Sequence, residues 1–490
     1  MSIDAAVVWE IRTDGAQTNG GGFKTGASGV DYSQQAAAQW ALNPVTSAAI
    51  TATMVNANAH ADMVGNICRV VSGTNATLGW YEIISVNTGV DITVDRNWCS
   101  GVCVDGVVNI GGAFAFGGSL DNDFFASGAK VAGHQVWVRG GTHTLGEITQ
   151  PSVNGSSTAT SQLLGYNATR GDNPIEDDRP LIDCGGFRFG FDLGPNYWWN
   201  IKNLRFISAQ NGYTFSAASF GYCVNVKVEN TSTGSAFSTG QGTQVVGCEA
   251  IANYSTASGF YGNNYTSFVG CYACGSFYGF LLSGQGSLAI SCVVDTCHDG
   301  FYVGSGGGKV INCTATGCET GINIFGNYLA IVNNILYSNY NGIKSGSAFT
   351  NSYFDYNCYY NNGTDVINVT KGENAVDGNP LLSGISVIEG ADGVTDGVSG
   401  KTFTAASNPF VGVTTDDYLN IVEAGTGATP GPFRISVVVG DGELTLDSSA
   451  GVSKTGISYK IVKGADFVPS AGSAVENAGF DAGGYTEVVV

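Results

Sequence analysis

Val245-Val246-Gly247-Cys248, Phe268-Val269-Gly270-Cys271, Ala289-Ile290-Ser291-Cys292, Val310-Ile311-Asn312-Cys313 and Ile331-Val332-Asn333-Asn334 are five versions of one phrase. Each has two apolar residues, a small or turn-forming residue, then cysteine or asparagine. From Cys271 to Asn334 the step is 21 residues each time. Eight residues after each of the last four columns comes a glycine with an apolar partner: Gly279-Phe280, Gly300-Phe301, Gly321-Ile322 and Gly342-Ile343. Gly363 falls one further step along, and Gly259, Gly234 and Gly212 extend the column upstream at looser spacing. Short runs with alternating apolar positions lie between Gly, Asn, Ser and Thr turns, and no helical period interrupts them.

Short strands at this period without a helix describe one coil of a right-handed parallel β-helix, in which coils stack about 4.8 Å apart with like residues above like. Cys248, Cys271, Cys292 and Cys313 are expected to stack inside, with Cys297 and Cys318 as a second column and Asn333 and Asn334 continuing the ladder. Stacked small and amide side chains favour in-register growth. Cys271-Tyr272-Ala273-Cys274 has the form of a metal or redox motif, but no second pair accompanies it, and core packing accounts for it better. The 13 cysteines, an odd number dispersed along the chain, are expected as reduced thiols.

Composition agrees with a turn-rich β chain. Among 490 residues there are 72 glycines and 10 prolines, 43 % are apolar and only 12 % are charged, which excludes a disordered chain. Glycine does not fall at every third residue, so collagen is excluded too. The net charge of −20, with no basic cluster, would repel a nucleic-acid backbone, so no nucleic-acid partner is expected. No run of 18 or more apolar residues occurs, and Met1–Glu10 lacks the basic and apolar regions of a secretion signal, so no membrane insertion is expected.

A second repeat flanks the first. Gly73-Thr74-Asn75-Ala76-Thr77-Leu78-Gly79-Trp80-Tyr81-Glu82-Ile83 returns as Gly425-Thr426-Gly427-Ala428-Thr429-Pro430-Gly431-Pro432-Phe433-Arg434-Ile435. The same offset, 352 residues, carries Thr93-Val94-Asp95 onto Thr445-Leu446-Asp447 and Ile110-Gly111-Gly112-Ala113 onto Val462-Lys463-Gly464-Ala465. Residues 60–115 and 412–467 therefore read as two copies of a small antiparallel β module. The expected organisation is an N-terminal capping and attachment region over 1–130, a parallel β-helix over 131–383 and a C-terminal β region over 384–490. One short N-terminal helix is expected at Asp31-Tyr32-Ser33-Gln34-Gln35-Ala36-Ala37-Ala38-Gln39-Trp40-Ala41-Leu42, where a capping aspartate precedes strong helix formers.

Gly133-His134-Gln135-Val136-Trp137-Val138-Arg139-Gly140-Gly141-Thr142-His143-Thr144 resembles the opening strand of pectin-lyase-like β-helices, and Gly378-Asn379-Pro380-Leu381-Leu382 is similar to their closing segments. Trp9-Glu10-Ile11-Arg12, Asn19-Gly20-Gly21-Gly22-Phe23, Asp31–Gln35, Ala61–Asn66 and the Gly73–Asp95 module together resemble the start of β-helix proteins of tailed-phage virions. That resemblance covers about the first 145 residues. It implies a structural, non-catalytic protein on the virion surface, as capsid decoration, head fibre or tail-spike-like appendage. It further implies a homotrimer, other virion proteins as partners, and assembly in the host cytoplasm. The alternatives are a tail spike that binds or depolymerises host-surface glycan, and a bacterial surface adhesin.

The residues offer little catalytic chemistry, and no cofactor or metal is expected. Polysaccharide hydrolases pair carboxylates on one face. Here the candidates are Asp295 and Asp299, with His298 between them, Glu319 one step above His298, and Glu249 placed two coils below Asp295. Asp172, Glu176, Asp177, Asp178 and Arg179 form the densest acidic cluster, but their spacing is not that of a calcium loop. His60, His134, His143 and His298 are too scattered for a metal triad. Trp198, Trp199, Tyr261, Tyr278 and Tyr302 are candidates for a sugar-stacking face, with at least half of them expected in the core.

Overall fold

The computed structural model describes residues 3–462 except 48–50, 55–58, 88, 90, 119, 127–131, 148–150, 152–153, 187–190, 194–196, 208–213, 231–233, 253–256, 305, 347–350, 379–386, 397–398, 408, 411–412, 414–417, 424–430, 447–448 and 452. The fold is all-β, a parallel β-helix flanked in sequence by antiparallel barrels, and its contacts divide it into Met1–Glu229 and Asn230–Val490.

In the first unit, Gln135–Arg139 pairs in parallel with Ser161–Tyr166, which pairs in turn with Trp199–Ile207. Val7–Ile11 adds itself to the same row, in parallel register with Gln135–Arg139 (Val8 opposite Gln135). Trp40–Ser47, Thr51–Met54, Ile67–Ser72, Gly79–Val86, Asp91–Val94 and Cys103–Ile110 close into an antiparallel barrel around Val45, Cys68, Tyr81, Ile83 and Ile110.

The helix expected at Asp31–Leu42 does not form. Asp31 Oδ1 instead accepts from the N–H and hydroxyl of Ser33, the Ala36 carbonyl accepts from Asn19 Nδ2 at 2.9 Å, and Trp40 already belongs to a barrel strand opposite Ile110. Neighbouring segments claim the groups a helix would pair internally, so tertiary pairing overrides propensity. Among the described residues, the α-helix of this unit lies at Asp121–Ala126. There Phe124 stacks on Phe114 at 4.2 Å and meets Trp9 and Trp80 edge-on at 5.5 and 5.6 Å.

In the second unit each full coil contributes three strands, for example Leu288–Ile290, Val293–Asp295 and Asp299–Val303, and each strand pairs in parallel with its equivalent one coil on. The corners explain the repeated phrase. Gly247, Gly270, Ser291, Asn312 and Asn333 all have φ between +51 and +62, so the residue before each ladder position turns the chain in the left-handed region. The ladder runs Cys248, Cys271, Cys292, Cys313, Asn334, Asn357. Cys313 Sγ donates to the Ala289 carbonyl at 3.5 Å, and Asn334 Nδ2 makes the equivalent bond to Val310 at 2.9 Å. Asn334 Oδ1 accepts the N–H of Cys313, just as Cys313 Sγ accepts that of Cys292. Asn333 is therefore a turn residue and not a rung; its Nδ2 donates to Asn312 Oδ1 at 2.7 Å. A second ladder runs through Ser276, Cys297, Cys318, Asn339 and Asn362. All thirteen cysteines are buried.

The glycine column marks the closest approach between coils. A Cβ on Gly300 would sit 2.5 Å from the Gly321 carbonyl oxygen and 2.7 Å from Val294. The column ends sooner than the spacing suggested. Asn341 pairs with Thr364, so Asp365 follows Gly342 in place of Gly363, and Phe237 pairs with Phe260, so Ala236 precedes Gly259 in place of Gly234. Gly212 and most of the closing segment 378–382 lie outside the described residues.

Val387–Thr395, Thr402–Ala405, Tyr418–Glu423, Gly431–Gly440, Glu443–Leu446 and Thr455–Val462 form a second closed barrel. Its strand order around the barrel (first, second, fifth, fourth, third, sixth) is that of the first barrel. Each barrel thus takes in two strands upstream of the matched stretches 60–115 and 412–467.

Candidate functional site

The strand Asp299–Val303 lies between Tyr278–Leu282 and Thr320–Ile324, in register Tyr278, Asp299, Thr320. Phe280, Phe301 and Ile322 of these strands fill the core, and the alternate positions Leu281, Tyr302 and Asn323 face away from it. His298, just before the strand, stacks on Phe277 at 4.1 Å and 15°. Its Nδ1 lies 3.2 Å from Asp299 Oδ1 and its Nε2 lies 3.0 Å from Glu319 Oε2. Asn323 Nδ2 donates to the other Asp299 oxygen at 2.8 Å. The 21-residue step explains the Glu319 contact, since it sets residue 319 directly over residue 298.

Burial alone would push the His298 imidazole down, but its hydrogen bonds and charge interactions with Asp299 and Glu319 outweigh it and hold the group up at about 9. It is an imidazolium at neutral pH. A group raised above its ordinary value near 6.5 contributes stability that is complete below that value and is lost as pH rises through about 9. The melting temperature is therefore expected to fall between pH 7 and pH 10, and His298→Phe to flatten that part of the profile. An imidazole resonance titrating near 6.5 would contradict the clamp.

Of the expected catalytic residues, Asp299 and Glu319 are joined through His298. Asp295 is not: it sits on the neighbouring strand Val293–Asp295 of another sheet row, 2 % exposed, and accepts from the Tyr272 hydroxyl at 3.4 Å. Glu249 does not share its column either. Glu249 aligns with Tyr272 and Val293, whereas Ile251 and Cys274 lead to Asp295. An inverting glycosidase keeps its carboxylates roughly 6.5–9.5 Å apart to leave room for water. Here an imidazole occupies the gap between Asp299 and Glu319.

Aromatic rings continue from the cluster. Phe277 meets Tyr278 at 4.7 Å, Tyr278 meets Tyr302 at 4.9 Å, and Tyr302 stacks on Phe325 at 5.1 Å and 23°. Phe325 is 45 % exposed. Burial and the nearby Asp299 raise the hydroxyl pKa of Tyr278 and Tyr302, keeping both protonated as donors. Tyr278 and Tyr302 are among the aromatics expected to form a sugar-stacking face. Phe277 and Phe325 were missed because each precedes or follows a strand, outside the alternating pattern. Trp199 is core, while Trp198 stacks on Phe220 at 5.4 Å in the first unit.

The acidic stretch near 172–179 is a braced turn. Asp172 accepts the N–H groups of Asn167, Ala168 and Thr169, Asp177 pairs with Arg205 at 2.6 Å, and Arg179 donates to Asn225 Oδ1 at 2.9 Å. His134 Nδ1 accepts from Trp9 Nε1, and His143 bonds the Arg139 carbonyl. Among the described residues no three His, Cys, Asp or Glu side chains are placed to hold a metal ion.

No protein family and no curated relative matches the chain. Similar solved structures include a tailspike protein double mutant of E. coli bacteriophage HK620, at 11 % identity over 71 % of this chain and 91 % of that one, with a TM-score of 0.30. ORF18 of Geobacillus virus E2 matches at 12 % identity over 68 % and 71 %, with a TM-score of 0.21. The catalytic domain of an α-1,3-glucanase in complex with tetrasaccharides matches at 12 % identity over 67 % and 81 %, with a TM-score of 0.25.

Proposed function

We propose that the chain is a tail-spike-like surface protein of a tailed phage, which holds host-surface glycan against the outer face around Tyr302 and His298. The observation that carries this reading is the unbroken row Phe277, Tyr278, Tyr302, Phe325 beside the polar cluster of His298, Asp299, Glu319 and Asn323. Aromatic faces take the apolar side of a sugar ring, and fixed carboxylates and donors take its hydroxyls. Parallel strands hold both at defined spacing, so little order is lost on binding. The phage setting is supported by the resemblance of the first 145 residues to virion β-helix proteins. In this reading 131–383 is the displayed helix, 1–130 and 384–490 attach it to other virion proteins, and the protein works as a homotrimer.

Full-length protein incubated with host capsular polysaccharide or lipopolysaccharide is expected to bind it and to release no reducing ends or unsaturated products. Tyr302→Ala is expected to weaken binding about tenfold, or about 1.4 kcal/mol. Product release abolished by Asp299→Asn would replace binding with depolymerisation, and unchanged affinity in the Tyr302 variant would remove this face from the site.

A further inference from the structure

We propose a second glycan site in the second unit: a slot between Tyr265 and Tyr328 that takes an uncharged oligosaccharide. It is separate from the cluster at His298, and its occupancy does not depend on that cluster.

Residues 265, 286, 307 and 328 are one column of the corner that follows the Tyr278, Asp299 and Thr320 strands, as their backbone bonds show. Tyr265 N–H donates to the Gln285 carbonyl, Gly286 to Gly306, and Gly307 to Asn327. All four have left-handed backbone, with φ of 57, 67, 79 and 60. Glycine adopts that conformation freely, but for tyrosine it is strained, and strain of this kind points to a function for the side chain that bears it. The column reads tyrosine, glycine, glycine, tyrosine, and the tyrosines are 54 % and 64 % exposed. The result is a slot three coil spacings long, roughly 14 Å, with Gly286 and Gly307 as its floor. A cavity of about 500 Å³ occupies it, lined by Tyr265, Gln285, Gly286, Gly306, Gly307 and Tyr328. The Tyr265 ring lies over Gly286, where an added Cβ would come within 2.9 Å of it, while a Cβ on Gly307 would meet Gly286 at 3.8 Å.

The lining selects the ligand class. Among the described residues it holds no charged side chain, and the chain carries a net charge of −20, so an acidic glycan would find no cation among them. A peptide adding itself as a strand needs free backbone donors, but those of Tyr265, Gly286 and Gly307 already serve the next coil. What remains are two aromatic rings, two phenolic hydroxyls and the Gln285 amide, which match the apolar faces and hydroxyls of neutral sugars.

The test uses full-length protein on an array of neutral and acidic bacterial oligosaccharides, with Tyr265→Asn and Tyr328→Asn as variants. Asparagine tolerates left-handed backbone, so melting temperatures should hold or rise while retention of neutral oligosaccharides falls at least tenfold. Hydrogen exchange in peptides spanning 284–308 should slow when a retained neutral oligosaccharide is added, and should not in Tyr328→Asn. Retention unchanged in both variants, preference for acidic glycans, or no neutral glycan retained by the parent chain would each overturn the slot. Loss in Tyr302→Ala alone would sink the slot and leave the outer face standing; loss in the Tyr265 and Tyr328 variants alone would do the reverse.

Discussion

Asn334→Ala should lower stability by about 3–5 kcal/mol, while Cys313→Asn, one coil earlier on the same ladder, should change it by no more than about 1 kcal/mol. The Asn334 amide is 1 % exposed, donates to the Val310 carbonyl and to Asn357 Oδ1, and accepts from the Cys313 N–H. Alanine satisfies none of these, and each buried group left without a partner costs about 1–3 kcal/mol. At position 313 a thiol performs the same two tasks more weakly, bonding the Ala289 carbonyl at 3.5 Å and the Cys292 N–H at 3.4 Å. An amide there has both the donor and the acceptor the position requires, and its extra volume offsets the gain. The shift in urea midpoint measures both. An Asn334→Ala midpoint close to the parent's would mean that the ladder is tolerated by the fold without supporting it.

The second large effect concerns where the chain is cut. Ending it at residue 411 should give insoluble protein, whereas ending it at 378 should leave the coils folded and soluble. A stop at 411 retains Val387–Thr395 and Thr402–Ala405 but removes their barrel partners, Thr455–Val462 for the first and Glu443–Leu446 for the second. Two strands with unpaired edges are then left on every molecule, an open template for aggregation. A stop at 378 removes the barrel whole and retains Val376–Asp377, which pairs with Cys358–Tyr360. Sedimentation of the two truncated chains decides it, and equal solubility would show that the barrel strands are not interdependent.

The coil was legible because a parallel stack repeats its constraints at a fixed period. Each ladder position needs a small donor, and each residue before it must accept left-handed backbone, so Gly270-Cys271, Ser291-Cys292 and Asn312-Cys313 advertise the corner directly. Asn357 was missed because the step into it is two residues longer, and the same insertion displaced the glycine column from Gly363 to Asp365. The barrels were half legible. Their last three strands keep one offset, but the first strands do not: Trp40 lies opposite Ile110 and Val387 opposite Val462, five residues out of step. The false helix at 31–42 shows the limit of propensity where distant segments claim the backbone. At the candidate site, Asp299 with Glu319 could be read from the period alone. Separating Asp295 from them required knowing that the chain turns a corner at Thr296 and Cys297, with φ of 51 at Thr296.

The fixed register also makes the coil a unit of length. Excising residues 292–312 would join Ser291 to Cys313, a junction the chain already makes in kind at Gly270-Cys271 and Ser291-Cys292. Every remaining strand would meet a neighbour of the same type. The stack can therefore shorten or lengthen only in whole steps of about 4.8 Å, like a ruler cut at its graduations. The gap between Tyr265 and Tyr328 inherits this graduation. Its span is set by how many glycine-cornered coils stand between the two rings, and a lineage could retune it by duplicating or losing one coil without redesigning either wall.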